Sequence, residues 1–141
     1  MRVVLDVNVV VSAVLSSKGA PRRLLERWRS GAFIVVIAEG VLVEVAEKLR
    51  NPKIGGKYGV SDGDVAAVLA LFRSQAAWVL LPPEDVQPIT GDPEDDYVLA
   101  TATAAAADYL ITGGKRLLVR SSVGGTRIVS PAAFLEAFPA Q

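Results

Sequence analysis

Val3-Val4-Leu5-Asp6-Val7-Asn8-Val9 decides how the rest of the chain is read. A short apolar, mostly β-branched run ends on an acid, which marks a buried strand stopping at Asp6. In open α/β sheets ligands gather beyond the carboxyl ends of the strands, where strand order reverses, so an acid at this position faces the natural crevice. The competing reading makes Asp6 the N-cap of a helix beginning near Val7, a position Asp favours. The apolar stretch from Val3 to Leu15 is broken by Asp6 and Asn8. It therefore matches neither a signal sequence nor a membrane span of about 20 residues, and a soluble, cytoplasmic protein is expected.

Further strands are read at Phe33–Ile37, Trp78–Leu81, Tyr109–Thr112 and Thr126–Val129, alternating with helical patterns. This alternation predicts a three-layer α/β/α fold around a central, mostly parallel sheet of about five strands. Pro21 and Gly31 bracket a helix carrying Leu24, Leu25 and Trp28 inward and a basic outer face. Ala38, Val41, Leu42, Val45 and Leu49 form one stripe of a second helix ending near Asn51-Pro52. Ser61 to Gln75 reads as a third, capped by Ser61 with Asp64 three residues on. Pro82, Pro83 and Pro88 mark an extended loop.

The chain has 141 residues, 51% of them hydrophobic, which suits one domain (1–141) with a full-sized core. It contains no Cys and no His, so thiolate chemistry and the commonest neutral-pH general base are excluded. Fifteen Lys and Arg balance fifteen Asp and Glu, so bulk charge does not argue for nucleic acid. The basic residues cluster, however, at Lys18, Arg22, Arg23, Arg27 and Arg29 and again at Lys48, Arg50, Lys53 and Lys57. Such clusters can meet phosphates or serve as solvated helix faces.

Chemistry must then run on carboxylates, hydroxyls, cationic side chains or a bound metal. Asn8 and Ser12 follow Asp6 closely enough to hold its carboxylate or a water. Glu44 sits about 120° from the centre of its helix's apolar stripe, with Glu47 roughly opposite that stripe; Glu44 is thus the acid that reaches a crevice, unless it only pairs with Lys48. Gly91-Asp92-Pro93-Glu94-Asp95-Asp96 precedes the helical segment Tyr97 to Ala107. Asp92 as N-cap, Pro93 at the first helical position and Asp95 three residues after the cap are explained by helix-start physics. Asp96 remains, on the core side with Leu99, Ala100 and Thr103; a buried carboxylate there needs a cation, either a metal or an Arg such as Arg2 or Arg127. Asp108-Tyr109-Leu110-Ile111-Thr112-Gly113-Gly114-Lys115 runs a strand into a Gly-Gly loop with a hydroxyl and a cation, a phosphate-approach loop or a plain tight turn.

Taken in order, these segments resemble the PIN-domain family, particularly VapC-type toxin components of bacterial toxin–antitoxin systems. The resemblance implies a PIN-like fold over nearly the whole chain. Its opening acid matches Asp6, its helical glutamate Glu44 and its third acid Asp96, which makes Asp6, Glu44 and Asp96 the expected catalytic and metal-binding set, with Asp92 or Asp95 as substitute ligands. Ala107 to Gly113 resembles the family's fourth-strand motif, and Arg127 to Leu135 its last strand and helix. Where similar proteins carry one or two aspartates after the Thr-Gly pair, this chain has Gly114 and Arg116. The resemblance implies Mg²⁺- or Mn²⁺-dependent hydrolysis of RNA, with Asn8, Thr112 and Lys115 on the substrate side, an antitoxin partner and a homodimer. The alternative is a weakened PIN module that binds RNA or a protein without efficient cleavage. A phosphotransferase using Asp6 as nucleophile is disfavoured because Asn8 stands where that chemistry wants a second acid.

Overall fold

The computed structural model describes residues 1–139. Strands β1 (Arg2–Leu5), β2 (Ile34–Ile37), β3 (Ala77–Trp78), β4 (Tyr109–Ile111), β5 (Ser122–Val123) and β6 (Thr126–Val129) form one sheet ordered β3-β2-β1-β4-β6-β5. All neighbours are parallel except β5 with β6. The expected mostly parallel α/β sheet is present, with six strands in place of about five. The extra one is the two-residue β5, joined to β6 through Gly124-Gly125. That Gly-Gly pair, with Gly124 at φ +55°, is a tight-hairpin signal absent from the strand expectations above.

Helices α1 (Val7–Leu15), α2 (Ala20–Arg29), α3 (Glu39–Arg50), α4 (Asp62–Gln75), α5 (Pro93–Ala104), α6 (Lys115–Leu118) and α7 (Pro131–Ala137) flank the sheet. Helices α1, α2, α3, α4 and α7 pack in a connected group, while α5 lies against β1, β4 and β5. Among the described residues no helix is long and apolar enough to cross a membrane. The central strands read as continuous apolar runs because both faces are covered: Val3, Val4, Leu110 and Ile111 are all fully buried. Phe72 from α4 meets Trp28 from α2 with ring centroids 4.7 Å apart, and Phe134 from α7 meets Phe33 edge-on.

Local signals account for most boundaries. Ser61 and Asp64 exchange both bonds of a capping box at the start of α4. Asp92 caps α5 with Pro93 in its first turn, so that helix begins earlier than Tyr97. Strand β3 is shorter than Trp78–Leu81 because Pro82 and Pro83 donate no amide and Leu80 turns out to solvent, 89% exposed.

Chain order explains the crevice. From β1 the chain builds outward to β2 and β3, then returns to place β4 on the other side of β1. The strand order reverses between β1 and β4, and the residues following these strands, Asp6 and Thr112, face each other there.

Helix α5 ends with Ala106 in the left-handed region, φ +48°, while the Ala107 amide reaches back to the Ala102 carbonyl. That conformation is costly for a residue with a Cβ and free for glycine. Ala106→Gly is therefore expected to stabilise the chain by about 0.5–1 kcal/mol, measurable by urea denaturation.

Candidate active site: a carboxylate cleft at the strand-order reversal

Four elements supply the cleft. Asp6 follows β1, Glu44 and Lys48 lie one turn apart on α3, the Asp92–Asp96 acids start α5, and Thr112 and Arg116 flank the Gly113-Gly114 loop after β4. Asp6 stands at the N-cap of α1 but makes no side-chain capping bond. Its Oδ2 instead accepts the Thr112 hydroxyl at 2.6 Å, and the Thr112 Oγ1 in turn accepts the Gly114 amide at 3.0 Å. Thr112 is fully buried. Its single proton is committed to Asp6, so it positions the acid rather than donating to a substrate.

Burial pushes the Asp6 carboxyl above its ordinary range, partly offset by the Thr112 hydroxyl, the Val7 amide and the Lys48 charge. Glu44 is raised as well, first by burial and then by Glu94, with Lys48 opposing. Its Oε2 is buried without a hydrogen-bond partner among the described residues. The expected alternative, a plain Glu44–Lys48 pair, is not what forms. Lys48 Nζ lies 3.0 Å from Asn8 Oδ1 and 3.4 Å from Glu94 Oε2, with its side chain 23% exposed. Asn8 and Ser12 are themselves exposed.

The two adjacent acids of α5 separate cleanly. Asp96 is buried, but among the described residues neither Arg2 nor Arg127 nor any other cation pairs with it. Its Oδ1 accepts the Ile89 amide at 3.0 Å, the Thr90 amide at 2.7 Å and the Thr90 hydroxyl at 2.8 Å. The Thr90 amide is the main cause holding this carboxyl below the usual carboxylate range. Of the two cations expected for Asp96, the arginine is thus corrected: local donors from the preceding loop satisfy Oδ1 in its place. Asp95 behaves in the opposite way. Burial and then Asp92 raise it, Arg116 opposes, and Asp6 adds to the rise. Asp95, explained from the sequence mainly by helix capping, is the member of the pair whose charge is felt with Asp6. The signal for it is positional, since successive helical residues differ by about 100° and only one of two neighbours points into a cleft.

Asp92 is occupied on both oxygens. Oδ1 accepts the Glu94 and Asp95 amides, and Oδ2 accepts Arg116 Nη2 at 2.8 Å. The Asp95 amide and then Arg116 keep Asp92 below its ordinary range. Lys115 opens α6 and is exposed.

A divalent ion can be tested against this donor set. The oxygens are hard, burial and mutual repulsion raise Asp6, Glu44 and Asp95, and one Glu44 oxygen is buried and unpaired. Acids so buried and so close in charge are favoured by a cation beside them. Among the described residues no three carboxylates converge into a ready-made cluster. Mg²⁺ does not need one, because it keeps several waters and takes one or two carboxylates directly. The residues fit such an ion.

A model of the family described as PIN domain matches residues 2–116. An uncharacterized protein of Methanocaldococcus jannaschii is 26% identical over 118 residues, spanning 84% of this chain and 74% of that one. Among solved structures, VapBC2 from Rickettsia felis bound to a DNA fragment from its promoter superposes with a TM-score of 0.61 at 17% identity. That match covers 92% of this chain and 98% of the other, a likeness of fold.

Without metal, proton binding pulls in two directions. Asp6, Glu44 and Asp95 hold protons more tightly folded than unfolded, so their burden on stability is relieved as pH falls through their raised values, above 3.8 for the aspartates and 4.5 for Glu44. Asp92 and Asp96 stabilise above 3.8, and that contribution is lost as pH drops through their lowered values. In EDTA the unfolding midpoint is expected to rise on acidification from neutrality, then fall below the ordinary aspartate range. Asp6→Asn should raise the neutral midpoint by about 2–4 °C and flatten the first limb, as followed by circular dichroism.

Proposed function

The chain belongs to the PIN-domain family, and on that premise we propose that it is a divalent-metal-dependent endoribonuclease, the toxin component of a toxin–antitoxin pair. The observation that carries the reading is the buried, unpartnered Oε2 of Glu44 beside a raised Asp6 at the strand-order reversal. We assign Asp6, Glu44 and Asp95 to the ion's surroundings, one or two of them as direct ligands and the rest through its waters, with Asp95 taking the place expected of Asp96. When bound, Mg²⁺ or Mn²⁺ supplies a lowered pKa for the attacking water and positive charge against the charge developing on phosphate.

The chain's own residues do the rest. Thr112 holds the Asp6 carboxylate in one orientation through its 2.6 Å bond. Lys48 ties Asn8 to Glu94 and lends positive charge to the Asp6 and Glu44 side of the cleft. With Asn8 Oδ1 occupied by Lys48, its NH₂ is the end that meets water or phosphate. Lys115, exposed at the start of α6, attracts the RNA backbone, an interaction weakened by salt. The fold likeness to VapBC2 favours a protein partner of the antitoxin kind, and a homodimeric toxin acting in the cytoplasm belongs to the same proposal on the family resemblance alone.

A second reading is favoured by the Arg116 contacts to Asp92 and Asp95 where similar proteins carry acid: a module that binds RNA or a protein and cuts poorly. Labelled structured RNA with Mg²⁺ or Mn²⁺, against EDTA and Asp6→Asn, separates the two. Metal-dependent cutting reduced by about 100-fold or more in Asp6→Asn is expected; tight binding without cutting, equal in both proteins, sinks the nuclease reading.

The assignment of Asp95 over Asp96 has its own test. Asp95→Asn should lose cleavage without losing thermal stability. Asp96→Ala should lower stability by about 1–3 kcal/mol, because it strands the Ile89 and Thr90 donors. Loss of cleavage in a stable Asp96→Asn protein, with Asp95→Asn still active, returns the role to Asp96.

A further inference from the structure

Arg116 and Lys48 divide the cleft's acids between them. On one side Lys48 Nζ contacts Asn8 and Glu94 and bears on Asp6 and Glu44. On the other, Arg116 Nη2 lies 2.8 Å from Asp92 Oδ2 and 3.5 Å from Asp95 Oδ2. The two sides are not equally served. Glu44 keeps a buried oxygen with no partner, whereas Asp92 has every carboxylate oxygen engaged.

We infer that Arg116 is the cleft's built-in second cation, a guanidinium that holds Asp92 and Asp95 and limits this chain to one divalent ion. The inference rests on the metal-dependent reading above. Arg116 is carried there by the Gly113-Gly114 loop, whose Gly114 amide is tied to the same Thr112 hydroxyl that orients Asp6. Buried Leu117 anchors the next residue. The arginine is therefore delivered by the structure that builds the cleft. A guanidinium spreads one charge over a fork of donors and meets two carboxylates without demanding octahedral geometry or dehydration. Its side chain is 72% exposed, so the hold is weak and salt-sensitive, and removing it leaves the core untouched.

The test counts ions rather than turnover. Mn²⁺ alone is titrated into the full chain at low salt, by calorimetry and by loss of the free-ion paramagnetic resonance signal. The wild type is expected to bind one ion per chain and Arg116→Ala two. Arg116→Lys, which keeps the charge, should stay at one. Adding Asp92→Asn to Arg116→Ala should remove the second ion again. Two ions in the wild type, or one ion in both wild type and Arg116→Ala, overturns the inference while leaving the metal-dependent reading intact. No ion in either protein overturns both.

Discussion

The parallel pairing of β1 with β4 is the constraint from which both the core and the cleft descend. Its register, Val3 with Tyr109, Val4 with Leu110 and Leu5 with Ile111, buries apolar side chains on both faces of the sheet. One step beyond the last pair, the Asp6 amide bonds the Ile111 carbonyl at 2.9 Å and the Thr112 hydroxyl bonds the Asp6 carboxylate. A slip of one residue would carry Asp6 away from the Ile111 carbonyl and the Thr112 hydroxyl, so the pairing and the chemistry require the same register. The strand order reverses at this junction, the place where open α/β sheets commonly receive their ligands.

That placement sets a conflict between stability and function. Asp6, Glu44 and Asp95 are drawn out of water and toward one another, and each is pushed up by burial before any neighbour is counted. The fold answers with two side chains of different character. Lys48 sits deep enough to act on Asp6 and Glu44, while Arg116 reaches in from an exposed position to Asp92 and Asp95. Neither reaches the buried Oε2 of Glu44, and the remaining charge deficit lies there. Active sites commonly carry such uncompensated acids because the compensating charge arrives with a ligand.

The adjacent pair Asp95 and Asp96 shows how one helical step divides structure from chemistry. Asp96 closes the loop before α5 by gathering the Ile89 and Thr90 donors, a self-contained local motif. Asp95, turned by about 100°, faces Arg116 and the field of Asp6. The Pro-rich segment before α5, expected to be extended throughout, instead folds Pro83–Asp85 into one 3-10 turn, closed by the Asp85 amide on the Pro82 carbonyl.

Much of this is legible in the order of the residues alone. The alternation of short β-branched runs with amphipathic stripes sets the α/β class, the Ser61 and Asp92 caps set two helix starts, and Asp6 at a strand end marks the crevice. Those features are local, decided within a turn or a strand. What only the tertiary structure decides is which groups meet across the chain. Lys48 passes over Glu44 for Asn8 and Glu94, Thr112 spends its proton on Asp6, and Arg116 folds back onto Asp92 and Asp95. Residues 106 positions apart are brought within hydrogen-bonding distance by the β1–β4 pairing. The pattern of the sequence specifies each strand, whereas the partner of a buried charge is chosen by long-range packing, which no local period encodes.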